Sequence, residues 1–136
     1  MKKSHIIIAV IVLAVAGYFI YKYVINKQPS KEKTNINATE FEQKLIDLNV
    51  VLLDVRSAFE FKGDKIKGAQ NISVSSPDFN SRIENLDKNK TYLVYCQHGP
   101  RGKEAAKTMK EKGFQHVYNL SGGIEEWKYY NKPVVR

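Results

Sequence analysis

Tyr92-Leu-Val-Tyr-Cys96-Gln-His-Gly-Pro-Arg101-Gly102 is the stretch on which the reading of this chain turns. A short aromatic and aliphatic run, strand-like in length and composition, stops at a cysteine and gives way to a glycine-containing loop, Gln97–Gly102. Lys103–Lys112 then reads as a helix, with Ala105, Ala106 and Met109 on one face and Gly113 as its stop. In open α/β sheets, sites form at the C-terminal ends of strands. Cys96 stands at such an end.

Outward from this segment the pattern continues in both directions. Val50–Val55 is a short β-branched apolar run, which predicts a buried strand. Thr39-Glu-Phe-Glu42 and Ser57-Ala-Phe-Glu60 both carry the capping-box pattern, and Phe41, Leu45 and Leu48 follow the first at helical spacing. Gly63 and Gly68 punctuate a loop, and Ala69–Ser73 is a candidate short strand. Ser76-Pro77 reads as a helix start, with Phe79, Ile83 and Leu86 forming its apolar face. Beyond the cysteine segment, His116–Leu120 is a strand, Gly122-Gly123 a turn, and Ile124–Tyr129 a short helix carrying Trp127. Pro133 ends the pattern. Strands alternate with helices, which predicts an α/β domain over 36–136 with a mainly parallel central sheet and helices on both faces.

The loop after Cys96 has the parts of an anion cradle. Gly99 permits a positive-φ turn and Gly102 permits close approach at the helix start. Backbone N–H groups of a loop curling onto a helix N-terminus point inward, and Arg101 adds fixed positive charge. These features favour a thiolate over a thiol and would equally hold a persulfide or an oxyanion. His98 either tunes the thiolate or faces solvent. Asp54 and Arg56 are expected to form a structural ion pair that positions the loop, because the chemistry needs no general acid from them. Trp127 is expected to pack in the core. Lys103, Lys107, Lys110 and Lys112 are expected on a solvated helix face.

The loop resembles the active-site loop of the rhodanese family, in which a cysteine is followed by a short glycine-containing loop ending in arginine. Other segments fall in the family's order. Leu52-Leu-Asp-Val-Arg56 is similar to its LLDVR strand. Glu60-Phe, followed by Ile66-Lys-Gly-Ala-Gln-Asn-Ile72, is similar to its E…HI-x-GA-x-NI segment. Leu120-Ser-Gly-Gly-Ile-Glu-Glu-Trp127 is similar to its L-x-GG-x-x-x-W closing motif. The likeness covers about residues 36–132, and four motifs in order carry more weight than a cysteine loop alone. Three positions depart from the pattern. Gln97 stands where sulfurtransferases often have arginine, Pro100 has no N–H to offer the cradle, and Lys65 replaces the usual histidine.

The resemblance implies a rhodanese-like fold and a sulfurtransferase. Cys96 would attack the outer sulfur of a small donor, such as thiosulfate or a persulfide, and carry it as a covalent persulfide. Gln97, His98, Gly99 and Gly102 would form the binding loop, and Arg101 would orient the incoming anion. A thiol or cyanide, the thiol small or on a protein, would then take the sulfur. The Cys-x4-Arg spacing resembles the sulfurtransferase branch. Cys-x5-Arg marks the related phosphatase and arsenate-reductase branch, whose longer loop fits a tetrahedral oxyanion. That chemistry, and a non-catalytic module presenting the fold at a membrane, are the alternatives.

Cys96 is the sole cysteine, so an internal disulfide and a Cys-rich metal site are both excluded. A persulfide on it must therefore discharge to another molecule. No metal and no organic cofactor is expected. The formal net charge is +8, but residues 1–35 alone hold Lys2, Lys3, Lys22, Lys27, Lys31 and Lys33 against Glu32. A basic flank beside an apolar run suits anionic lipid better than a phosphodiester backbone, so no nucleic-acid partner is expected.

The N-terminal region divides into a basic tail at 1–5, an apolar segment at 6–25 and a polar linker at 26–35. The apolar segment has the length of a single transmembrane helix. Lys22 can snorkel, and Tyr18, Tyr21 and Tyr23 cluster as an interfacial belt. A cleaved signal peptide is the rival, with Ala14-Val15-Ala16 as the small-residue site, but cutting there leaves a short apolar core. A single-pass membrane anchor is the expectation. Lysines on both flanks leave open the side on which the domain lies.

Overall fold

A computed structural model of the chain describes residues 2–26 and 33–136. Met1 of the basic tail and residues 27–32 of the expected linker lie outside the described residues. The chain divides into two units, Met1–Glu32 and Lys33–Arg136.

Among the described residues of the first unit there is one helix, α1 (Lys2–Asn26). Its span Lys3–Val24 is long and apolar enough to cross a bilayer by length and composition. A rise of 1.5 Å per residue gives that span a length of about 33 Å, which matches a hydrocarbon core. Ile6, Leu13 and Ile20 all lie exposed, and Lys22 reaches back over the Tyr18 ring.

The second unit is the α/β domain. Its elements are β1 (Asn35–Ile36), α2 (Ala38–Lys44), β2 (Val50–Asp54), α3 (Ala58–Phe61), β3 (Gln70–Asn71), α4 (Phe79–Glu84), β4 (Thr91–Tyr95), α5 (Pro100–Glu111), β5 (His116–Leu120) and α6 (Gly123–Tyr129). The five strands form one parallel sheet in the order β1-β5-β4-β2-β3. Alternation along the strands builds two cores, as period-two geometry requires. Leu53, Tyr92, Val94 and Val117 face one way and meet Ile83 of α4 and Met109 of α5. Leu52, Leu93, Tyr95, Tyr118 and Leu120 face the other way and meet Phe41 of α2 and Trp127 of α6. Each large aliphatic side chain so buried contributes about 1.5–3 kcal/mol. The expected mainly parallel sheet with helices on both faces is the observed one.

Several local expectations shift. The first capping box is Asn37–Glu40, not Thr39–Glu42: Asn37 Oδ1 accepts the Glu40 N–H at 2.9 Å, and Glu40 accepts the Asn37 N–H at 3.0 Å. The cause is β1, too short to read from sequence, which pairs Asn35 with Asn119 and Ile36 with Leu120. The helix must start where that pairing ends, and Asn35 belongs to the sheet rather than to the linker. Because α2 stops at Lys44, Leu48 lies beyond it and is 99% exposed. The Ser57–Glu60 box forms as expected. Ser76-Pro77 makes a turn rather than a helix start; the Phe79 N–H bonds back to Ser76 O, and the helix begins at Phe79. The strand expected over Ala69–Ser73 shrinks to Gln70–Asn71.

Strand order places the site. The chain leaves β2 toward β3 and leaves β4 toward β5, in opposite directions along the sheet. A crevice therefore opens between the C-terminal ends of β2 and β4, at the topological switch point. Register brings Asp54 beside Tyr95, and the Val55 N–H donates to Tyr95 O at 2.9 Å. Arg56 and Cys96 thus emerge side by side.

Candidate active site

Cys96 directly follows β4 with its side chain in the core shared by α4 and α5, and it is 1% exposed. The backbone then turns sharply. Gly99 adopts φ +115°, and a Cβ there would lie 1.9 Å from Ser121 O, so only glycine fits. That turn aims the Gly99 N–H at Cys96 Sγ, 3.1 Å away. The helix α5 starts directly after, three residues earlier than the sequence pattern suggests. Pro100 occupies its first turn, where a missing N–H costs nothing, and its absence from the cradle is a consequence of helix geometry. Gly102, in the first turn, packs against Asn119; a Cβ would sit 2.1 Å from Asn119 Oδ1. The cysteine therefore lies beneath a helix N-terminus, whose partial positive charge favours a bound anion.

Arg101 leaves the same turn and meets Glu60 of α3. Its two terminal nitrogens donate to the two carboxylate oxygens at 2.9 and 2.8 Å, the bidentate fork of a strong ion pair. These bonds hold the Glu60 carboxyl down to about 2, helped by the Ser57 hydroxyl and N–H. The same contacts, with a further contribution from Cys96, raise Arg101 above its ordinary value. Glu60 thus both caps α3 and fixes the loop's cation.

Asp54 and Arg56 form the expected ion pair, with Arg56 Nη2 donating to Asp54 Oδ2 at 2.7 Å, and the structure buries it: the two residues are 0% and 3% exposed. Arg56 also donates to Gln97 Oε1 at 3.0 Å and to Asp64 O at 2.8 Å. Gln97 in turn donates to Glu125. The pair therefore reaches the loop through the side chain that stands in an arginine's usual place. Asn71 ties this strand end from the other side, donating to Asp54 O at 2.9 Å and Arg56 O at 2.8 Å.

A second element holds the loop from behind. The N–H groups of Ile124 and Glu125 donate to the carbonyls of Cys96 and Gln97 at 2.9 and 3.2 Å. Gly123 makes this approach possible: its φ is +62°, and a Cβ would lie 2.6 Å from Cys96 O. The double glycine of the closing motif is thus a docking point for the cysteine loop.

All the candidate residues read from sequence fall at this crevice except His98. It is exposed and lines a cleft of about 390 Å³ on the far side of the loop, which Gly99, Pro100, Lys103, Asn119 and Ser121 also line. Glu60, Asn71, Gly123 and Glu125 were legible as motif letters but not as site neighbours. Trp127 packs as expected, edge-on to Phe41, and donates to Pro133 O at 2.9 Å. Of the lysines expected on a solvated face, Lys110 and Lys112 are half-buried and bond Thr34 and Glu84 at 2.6 Å. Among the described residues, no cluster of histidine, cysteine and carboxylate side chains is arranged to hold a metal ion.

A five-stranded parallel sheet with a cysteine loop at its switch point defines a class, and comparison with known proteins makes the class specific. The rhodanese-like domain family profile matches residues 37–129. The chain is 34% identical over 101 residues to the thiosulfate sulfurtransferase GlpE of Coxiella burnetii, covering 74% of this chain and 90% of that protein. It is 33% identical over 124 residues to the uncharacterised protein YqhL of Bacillus subtilis, covering 91% and 93%. A rhodanese-related protein from Thermoplasma volcanium superposes with a TM-score of 0.66 at 30% identity, covering 74% of this chain and 96% of that one. The chain belongs to the rhodanese-like domain family. At the level of the family, these relatives support sulfurtransferase-type chemistry.

Proposed function

We propose that this protein is a membrane-tethered sulfurtransferase in which Cys96 carries sulfane sulfur as a persulfide. The observation that carries this reading is the Gly99 N–H bond to Cys96 Sγ beneath the N-terminus of α5, with Arg101 in the same turn. Cys96 thiolate attacks the outer sulfur of a donor. With a persulfide R–S–SH the products are Cys96–S–SH and the thiolate R–S⁻. With thiosulfate they are Cys96–S–S⁻ and sulfite. The loop amides hold the new terminal sulfur, and an external thiol or cyanide removes it, since no second cysteine is present to do so. Asp54 and Arg56 position the loop through Gln97 and take no proton in this scheme.

The tether is α1. The similarity to YqhL is longer than the stretch 33–136 and so runs back into this helix, which supports a shared N-terminal segment.

Intact mass of the purified chain after treatment with thiosulfate or cysteine persulfide tests the chemistry. One added sulfur is expected on wild type and none on Cys96→Ser. Absence of added sulfur with either donor would favour the binding-module reading. Hydrolysis of an aryl phosphate that is lost in Cys96→Ser, without sulfur transfer, would favour the phosphatase branch.

A further inference from the structure

Sulfur donors of this chemistry fall into two charge classes. Thiosulfate brings a dianion to a thiolate and releases a second dianion, sulfite. A persulfide reacts through its protonated S–SH form, which brings no charge on the transferred sulfur, and releases a monoanionic thiolate. The first route needs uncompensated positive charge at the mouth, because like charges approaching in a partly desolvated crevice repel strongly. The second does not.

The two guanidinium groups at this mouth are both already matched. Arg101 is held by both oxygens of Glu60. Arg56 is held by Asp54 and donates also to Gln97 and Asp64 O. The loop position nearest them is a neutral amide, Gln97, and a second carboxylate, Glu125, borders it. Glu125 is itself paired with Lys128 at 3.1 Å. What remains to stabilise an anion is the Gly99 N–H and the end of α5, worth about half an elementary charge. That suits one sulfur monoanion better than a dianion that carries a sulfonate group beside the sulfur.

We propose that Glu60 is a specificity-determining residue: by cancelling the charge of Arg101 it turns the site toward persulfide donors and away from thiosulfate. This rests on the sulfurtransferase reading above. Glu60 is well fixed for the role. Besides Arg101 it accepts the Ser57 N–H at 2.9 Å and the Ser57 hydroxyl at 2.8 Å, so it does not swing aside without uncapping α3. It stays ionised through the whole working pH range.

Glu60→Gln keeps the shape and, with its amide oxygen toward Ser57, the cap, since glutamine serves equally at that capping-box position; it removes the charge and, because an amide NH2 cannot accept, one of the two Arg101 bonds. The test uses the full-length protein in detergent micelles. The rate of sulfur loading on Cys96 is followed by intact mass, with thiosulfate and with cysteine persulfide over a range of concentrations. The thiosulfate-to-persulfide ratio of second-order rate constants is expected to rise roughly tenfold in Glu60→Gln. The change should lie in the concentration for half-saturation by thiosulfate, and the thiosulfate rate should fall more steeply with salt than in wild type. An unchanged or lower ratio, including an equal loss with both donors as a purely positioning role would give, overturns the proposal. Should Glu60→Gln melt far below wild type, Gln97→Arg adds a cation to the same mouth with Glu60 intact. The ratio must then rise in that variant, and failure to rise overturns the proposal. Loading by neither donor in any variant instead refutes the sulfurtransferase reading itself.

Discussion

Gly99 shows how much one residue decides here. Its positive φ and its contact with Ser121 O make the turn that brings an N–H to the cysteine sulfur. Gly99→Ala is expected to lower sulfur loading at least tenfold and to cost about 1–3 kcal/mol of stability, since a strained backbone costs that much and the new methyl has no room. Loading kinetics and chemical denaturation check the two effects. The same logic applies to Asp54. Its carboxylate accepts from the Arg56 backbone and guanidinium while wholly buried, so Asp54→Ala leaves an uncompensated cation in the core. A loss of about 3–5 kcal/mol is expected, as for other broken buried pairs, measured by urea unfolding. Both residues stood out in the sequence, Gly99 by type and Asp54 by motif. Glu60 was visible as a helix cap and a motif letter but not as the partner of Arg101, which lies 41 positions away.

At the scale of elements, the site is built where three of them meet. The end of β2 supplies Arg56, the turn from β4 into α5 supplies the cysteine loop, and the N-terminus of α6 clamps that loop. Asn71 of β3 ties the first of these to its neighbour. Asn71→Ala removes two bonds to buried carbonyls, and a cost of about 1–3 kcal/mol is expected in the same unfolding measurement. The helix α1 makes its own prediction. A chain lacking residues 2–26 is expected in the soluble fraction after cell lysis, while the full chain stays with membranes and keeps its N-terminal mass. A mature mass beginning at Gly17 would identify a cleaved signal instead. The periodicity of α5 and α6 was legible because each buries one face. The start of α5 was misplaced by three residues, because a proline reads as a break until the turn before it is known.

For the whole molecule, charge couples folding to pH. Glu60 is held at about 2 against an ordinary 4.5, and Asp64, Glu84 and Glu125 are also lowered, by Arg136, Lys112 and Lys128. Carboxyls lowered in the folded state stabilise it fully above their unfolded values and lose that contribution as pH falls through the folded ones. The melting temperature is therefore expected to hold above pH about 4.5 and to fall progressively toward pH about 2. Glu60→Gln should flatten that decline, and thermal melts across the range check both.

The sequence alone settled the α/β class, the parallel sheet, the place of Cys96 and the apolar N-terminal helix. Those follow from local regularities: strand-length apolar runs, helical spacing, a loop between them, and an uninterrupted hydrophobic segment. Tertiary structure alone decided that Glu60 neutralises Arg101, that Gln97 links Arg56 to Glu125, and that Gly123 docks α6 onto the cysteine loop. These are contacts between residues far apart in the chain. Their existence depends on strand order and register, which bring the ends of β2 and β4 together and are not written in any single segment.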